Sequence, residues 1–323
     1  MSSKFTIKQY DSQLNIEWDK FIKKSNNGTL FHRLDFLHYH GNRFSNNENH
    51  LLIYKGDTLH GVMPLAVFND NGLLVAKSPY GASFGGPVFL KSLKYRESKE
   101  IVNEFIGAFL DFGFDKVIIT MPLSIYHKDI SSTFEFAMLE AGFKCIVRDI
   151  SSVVSLSRGN LPDHFESRIR NKIKKANKLN VDIIKKADIK DFFLPFEKTF
   201  HKHDVDPTHT HDELIWLTST LPDDIWVDVA YLAGEPVAGI CYFRVTETVL
   251  SSFYLCQDPD RQSSQALTFL VSEALSDAYN QGFYYFDFGT SSFNMQARPN
   301  IFSFKEGFGS CGIFRETWEL TVQ

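Results

Sequence analysis

VLSSFYLCQDPDRQSSQALTFLVSEALSDAYNQGFYYFDFG, residues 249–289, is the stretch on which the fold turns. It opens with VLSSFYLC (249–256), a run rich in aliphatic and aromatic residues that reads as a strand. The polar segment QDPDRQSS follows, and helical patterning then runs over about 263–281 until Gly282 closes it. FYYFDFG (283–289) is a strand again. Just upstream, IWVDVAYL (225–232) and PVAGICYFRV (236–245) meet through Ala233-Gly234-Glu235, so the helix follows a three-stranded antiparallel meander.

The first half has the same order. After a helical stretch over 13–25, LLIYK (51–55), LHGVMPLAVF (59–68) and LLVAK (73–77) form a meander, turned at Gly56-Asp57 and at Asn69 to Gly72. The loop SPYGASFGGP (78–87) leads to a helix expected over about 94–112, closed by Gly113, and to the strand FDKVIITM (114–121). One supersecondary plan used twice points to duplication. A helix that links a meander to one further strand is the core order of the GNAT acyltransferase fold. The expectation is an α/β chain of the α+β type. It would hold two tandem GNAT-like domains, 1–155 and 156–323, each a curved, mostly antiparallel sheet flanked by helices.

Composition agrees with two packed cores. The chain has 323 residues, and single cores stop growing near ~250. Its four cysteines, Cys145, Cys241, Cys256 and Cys311, form no CxxC pair and read as reduced thiols of a cytoplasmic protein. No apolar run reaches the ~18 residues of a membrane span, and the N-terminus has no signal-peptide pattern. A net charge of −5 argues against a DNA binder. Between the halves, Phe165, Ile169, Ile173 and Ala176 draw an apolar stripe on a helix whose other face carries Arg170, Lys174 and Lys178. From 168 to 186 the chain has eight Lys/Arg against one acid, Asp182, so this helix is a candidate anion site set against a merely solvated face.

Three stretches carry candidate chemistry. Asp287-Phe288-Gly289 imitates a protein-kinase triplet, but no glycine-rich loop, strand lysine or His-Arg-Asp loop precedes it. Lys305, amid Phe302, Phe304 and Phe308, can supply a fixed charge for a nascent oxyanion, set against a snorkelling surface lysine, and Asp287 a proton acceptor or orienting group, set against a cap or turn carboxylate. Arg261, Ser263, Ser264 and Ala266 stand where a strand meets a helix, the place at which backbone N–H groups grip a pyrophosphate. A serine as helix N-cap is the competing reading there. HKHDVDPTHTH (201–211) reads as a loop, and no spacing in it matches a zinc module, so no metal is expected. Neither a Gly-x-Ser-x-Gly elbow nor a Cys-His motif marks a protein nucleophile, which leaves direct attack by the acceptor.

Together, SPYGASFGGP, SRIRNKIKKANKLNV (167–181), LAGEPVAG (232–239) and above all FDFGTSS…FSFKEGFGS resemble the FemAB-like (Fem-type) transferases over roughly residues 25 to 320. That family moves an acyl group onto an amine, most famously from aminoacyl-tRNA onto a peptidoglycan precursor. Other relatives are similar to acyl-CoA-dependent N-acyltransferases linked to surface polysaccharides. The resemblance implies that Lys305 meets transition-state charge and that Arg170 meets phosphate of a nucleotide-linked acceptor. It also implies substrate contacts for Lys174, Tyr80, Ser83, His203 and Tyr254. Several tRNA-using members insert a long coiled-coil arm. No heptad run is present in this chain, so acyl-CoA is the expected donor and aminoacyl-tRNA the alternative. The expected acceptor is a small-molecule or lipid- or nucleotide-linked amino sugar, or another cell-envelope precursor, met in the cytoplasm or at the inner membrane face. The rival readings are a peptidoglycan bridge ligase and a non-catalytic nucleotide-sugar-binding module.

Overall fold

The computed structural model describes residues 4–158, 161–203 and 206–322, with the side chains of residues 14–17, 158 and 203 excepted. The chain divides into two compact units, Met1–Asp149 with Phe314–Gln323, and Ile150–Ile313. A boundary at 155/156 with everything later in one domain therefore misses the return of the C-terminal strand to the first unit. That strand covers an edge whose backbone donors and acceptors would otherwise lack partners.

The first unit contains β1 (Phe5–Gln9), α1 (Asn15–Lys24), α2 (Leu34–Leu37), β2 (Leu51–Lys55), β3 (Thr58–Met63), β4 (Ala66–Asp70), β5 (Leu73–Ser78), β6 (Val88–Phe89), α3 (Tyr95–Asp111), β7 (Lys116–Thr120) and α4 (Thr133–Glu140). The expected strand 59–68 is two strands. Pro64 has no N–H to give a ladder, and the chain changes partners there: β3 joins the order β1-β2-β3-β6, whereas β4 pairs with β5. β5 lies parallel to β7. Ile101, Val102, Phe105 and Phe109 of α3 recur at helical spacing and enter the core with Leu51, Ile53, Val117 and Ile119. The loop 78–87 is tied to itself. The Ser78 hydroxyl accepts the Gly86 amide at 2.7 Å, and a Cβ on Gly85 would stand 2.5 Å from the Ser78–Pro79 backbone.

β8 (Lys144–Ser155) leads into the second unit, which continues with α5 (Ser167–Lys178), β9 (Asp182–Ile184), α6 (Ile189–His203), α7 (His211–Thr220), β10 (Ile225–Leu232), β11 (Glu235–Arg244), β12 (Val249–Gln257), α8 (Ala266–Asn280), β13 (Tyr285–Thr290), the hairpin β14 (Ser292–Phe293) and β15 (Gln296–Ala297), α9 (Pro299–Glu306) and the start of β16 (Cys311–Thr321). Its strand order is β8-β13-β12-β11-β10-β9. Every pairing is antiparallel except β12 with β13, as a meander joined to one further strand by a helix requires. Alternation along β11 sorts the layers. Ala238, Ile240 and Tyr242 face the core that also holds α5 and α8, while Gly239 lies against the Phe192 ring of α6, where a Cβ would come within 2.6 Å. The apolar stripe of the basic helix is present: Phe165, Ile169 and Ala176 are buried, and Ile173 packs beside them. The run 201–211 is partly helical, because α6 extends to His203 and α7 starts at His211 behind a Thr210–Glu213 capping box. Among the described residues, no helix is long and apolar enough to cross a membrane.

Candidate active site

β12 and β13 pair only over Val249–Tyr285, Leu250–Phe286 and Ser251–Asp287. β12 then continues to Gln257 and β13 to Thr290, so the two parallel strands part just beyond Asp287. On the other side of β13, the register with β8 slips between Asp287 and Thr290. Gly289 sits in that irregularity at φ 72°, a conformation in which a side chain would be strained. The Gly289 and Thr290 carbonyls stand at this irregularity. Both accept hydrogen bonds from Lys305 Nζ, at 2.9 and 2.7 Å.

Lys305 arrives from the last turn of α9 and is 5 % exposed. Phe308, fully buried, fixes that turn by packing edge-on against Phe165 and Phe304. Gly307 lets α9 approach α5, since a Cβ there would come within 2.8 Å of Ile169. Burial pushes the Lys305 ammonium down to about 8. The Asp287 carboxylate pulls it back up, and Arg298 adds to the depression. The unfolded lysine titrates higher, so between about pH 8 and the normal lysine range the unfolded chain binds more protons. This group's contribution to stability rises with pH across that window, and its full cost is present below it.

Asp287 is 2 % exposed, and its Oδ1 accepts from Ser151 Oγ at 2.7 Å and from the Gly289 amide at 2.8 Å. Phe286 and Phe288 point into the core that holds α8, so alternation directs Asp287 to the face that carries α6. Ser151 gave no signal in the sequence, because only the β8–β13 pairing brings it to Asp287.

The α8 N-terminus stands beyond β12. Its N-cap is Gln265, held at φ 60°, rather than Ser263 or Ser264. Ser264 is buried and works inward: its hydroxyl donates to the Arg261 carbonyl at 2.6 Å and accepts the Ala266 amide at 3.3 Å. Ala266 is also buried, whereas Arg261 and Ser263 are exposed. The first-turn amides of Leu267 and Thr268 lie beyond the reach of any carbonyl of their own helix, which makes this end anion-seeking.

The remaining expected residues are dispersed. Arg170 and Lys174 lie on the exposed face of α5, and one Arg170 nitrogen donates to the Phe165 carbonyl. Tyr254 is 7 % exposed, and burial raises its hydroxyl. That hydroxyl accepts the His209 amide at 3.1 Å and shares a hydrogen bond with His209 Nδ1 at 2.8 Å. His209, one of the four histidines of the run 201–211, is itself buried. The His203 side chain lies outside the described residues. Tyr80 and Ser83 belong to the first unit. There Tyr80 is 3 % exposed and donates to Glu48 at 3.0 Å, and the Ser83 carbonyl accepts from Arg315 at 2.8 Å. Among the described residues, no three His, Cys, Asp or Glu side chains converge as a metal site would require.

Tyr254→Phe removes the partner of two buried His209 groups. We expect a loss of about 1–3 kcal/mol in urea unfolding, the cost of stranding buried polar groups. An unchanged midpoint would show that this hydroxyl does not tie the segment before α7 to β12.

Residues 164–297 match the model of the acetyltransferase (GNAT) domain. No curated protein sequence matches the chain. Among solved structures, FemX superposes with a TM-score of 0.70 at 11 % identity, over 97 % of this chain and 96 % of that one. L-PGS from Bacillus licheniformis gives 0.60 at 12 % identity, over 98 % and 94 %. A tandem GNAT protein from the clavulanic acid biosynthesis pathway gives 0.55 at 8 %, over 99 % of both chains.

Proposed function

On the premise that this chain is an N-acyltransferase of the GNAT superfamily with the Fem-type fold, we propose that it moves an acyl group from an acyl-CoA-type donor onto the amino group of an amino sugar or other cell-envelope precursor. The observation that carries this reading is the opening between β12 and β13, with a buried ammonium and a buried carboxylate at its apex. A thioester laid in that opening has its carbonyl near Asp287 and its pyrophosphate at the α8 N-terminus, where Arg261 and the amides of Leu267 and Thr268 oppose its charge. The acceptor amine attacks the carbonyl carbon, and a C–N bond forms as the carbonyl oxygen takes up negative charge. Lys305 stabilises that charge through a third N–H, two being held by Gly289 and Thr290. Asp287 receives the amine proton, and collapse of the intermediate expels the CoA thiolate.

The exposed basic face of α5 favours a second donor, aminoacyl-tRNA, whose phosphates Arg170 and Lys174 would meet. A donor screen with acetyl-CoA, longer acyl-CoAs and charged tRNAs separates the two. Saturable acyl-CoA binding with transfer to an amine supports the first, and transfer from charged tRNA alone replaces it with the second. Absence of transfer from every donor would leave a binding module.

In either case the α5 cations face phosphate of donor or acceptor. Arg170→Ala with Lys174→Ala should weaken that ligand about tenfold or more, and added salt should weaken wild-type binding. Equal affinity of the double variant would mark α5 as a solvated face.

A further inference from the structure

We infer that Ser151 is a positioning residue for acyl transfer, its hydroxyl holding the Asp287 carboxylate in the orientation that receives the proton of the attacking amine. The inference rests on the acyl-transfer reading and adds to it a third group, which orients the base as the base serves the reacting atom. Ser151 Oγ donates to Asp287 Oδ1 at 2.7 Å, and both side chains are buried. That oxygen also accepts the Gly289 amide, two positions along the same strand. A local bond of this kind lets the carboxylate follow its own turn, whereas a donor from β8 ties it to a separate strand. A hydrogen bond to an ionised acceptor belongs to the strong class, so this contact can hold an orientation.

The register of β8 with β13 makes the position specific. The Ser151 backbone stands opposite Thr290, whose carbonyl accepts Lys305 Nζ. Its side chain lies two positions from Val153, the register partner of Asp287, and so reaches that carboxylate diagonally on one face of the sheet. One residue of β8 thus adjoins both groups to which the reaction is assigned. Ser152, the next residue, is the natural comparison. Ser151 and Ser152 are 1 % and 2 % exposed, and the Ser152 hydroxyl shares a hydrogen bond with Ser291 Oγ at 2.6 Å. Alternation places Ser152 with Val154, towards the core that holds α5 and α8, and Ser151 with Val153 on the other face. The two serines match in burial and in bonding, but the partner of Ser151 is a carboxylate and that of Ser152 a hydroxyl.

The test compares Ser151→Ala, Ser151→Cys and Ser152→Ala in the full chain, with circular dichroism to confirm folding. Turnover is read with acetyl-CoA and glucosamine, and the Lys305 ammonium is titrated by NMR on isotope-labelled lysine, a readout that needs no turnover. Ser151→Ala should lower kcat about tenfold or more at an unchanged KM for acetyl-CoA, as loss of one hydrogen bond to a charged group implies. Ser151→Cys, close in size but a weak donor, should fall between alanine and wild type. Ser152→Ala should lose comparable stability in urea and keep the wild-type rate. Combined with Asp287→Asn, Ser151→Ala should cost no further turnover, because the serine acts through that carboxylate. A carboxylate released from β8 supports the Lys305 charge less, so Lys305 should titrate below about 8 in Ser151→Ala and as wild type in Ser152→Ala. Arg298, the other charge acting on Lys305, is present in every variant. The inference is overturned if Ser151→Ala keeps the wild-type kcat, if Ser152→Ala loses as much, or if the loss persists in the Asp287→Asn background. The acyl-transfer reading fails separately. A wild type that transfers from no donor, with a Lys305 titration that still separates the two alanine variants, would leave the hold of Ser151 on Asp287 standing without the reaction. Wild-type titration of Lys305 in both alanine variants would overturn the inference whatever the chain transfers.

Discussion

Lys305→Met is expected to lower turnover by ~10²–10³ while leaving donor affinity and melting temperature close to wild type. The side chain is buried, and its ammonium donates to two backbone carbonyls beside the irregularity in β13. Methionine deletes a charge that is costly to bury, but it also strands those carbonyls. The two effects oppose each other in stability, so the loss should fall on kcat. The wild-type pH profile provides an independent check. On the proposed role the active form is the cation, and burial lowers its pKa to about 8, so turnover should decline as pH rises through about 8. Lys305→Arg should restore only part of the rate, since a planar guanidinium cannot reproduce the contacts of a compact ammonium. Wild-type turnover in Lys305→Met, or a rate flat to pH 10, would reduce this lysine to a clamp on the Asp-Phe-Gly bulge.

Asp287→Asn should cost about 10²–10⁴ in turnover if the carboxylate takes the amine proton. Its amide oxygen can still accept from Ser151 and Gly289, so the local backbone should persist. The variant has a second signature. Asp287 is the group that raises the Lys305 pKa against burial, and its neutralisation lets that pKa fall further. The alkaline decline of the residual activity should therefore begin at lower pH than in wild type. A loss confined to the alkaline side, with full rate at pH 6, would assign Asp287 to supporting the Lys305 charge rather than to proton transfer. A rate and profile identical to wild type would remove it from the site.

What the sequence determined by itself was the plan of each half and the stretch in which chemistry collects. Period-two and helical patterns are local, so β10 to β13, the apolar stripe of α5 and the helix over 266–280 were legible from spacing alone. Lys305 was conspicuous for the same reason, as a charge among aromatics and glycines. Tertiary structure decided what depends on partners distant in the chain. Pro64 splits a strand between two pairings, and a return of the last residues to the first unit leaves no mark in composition. Ser151 reaches Asp287 across 136 positions, and Tyr254 finds His209 across 45. Sequence placed Tyr80, Ser264 and Tyr254 by motif, but only packing could show that each faces inward. The direction of a side chain follows from what its neighbours bury, and those neighbours are assembled only when the sheet closes its register.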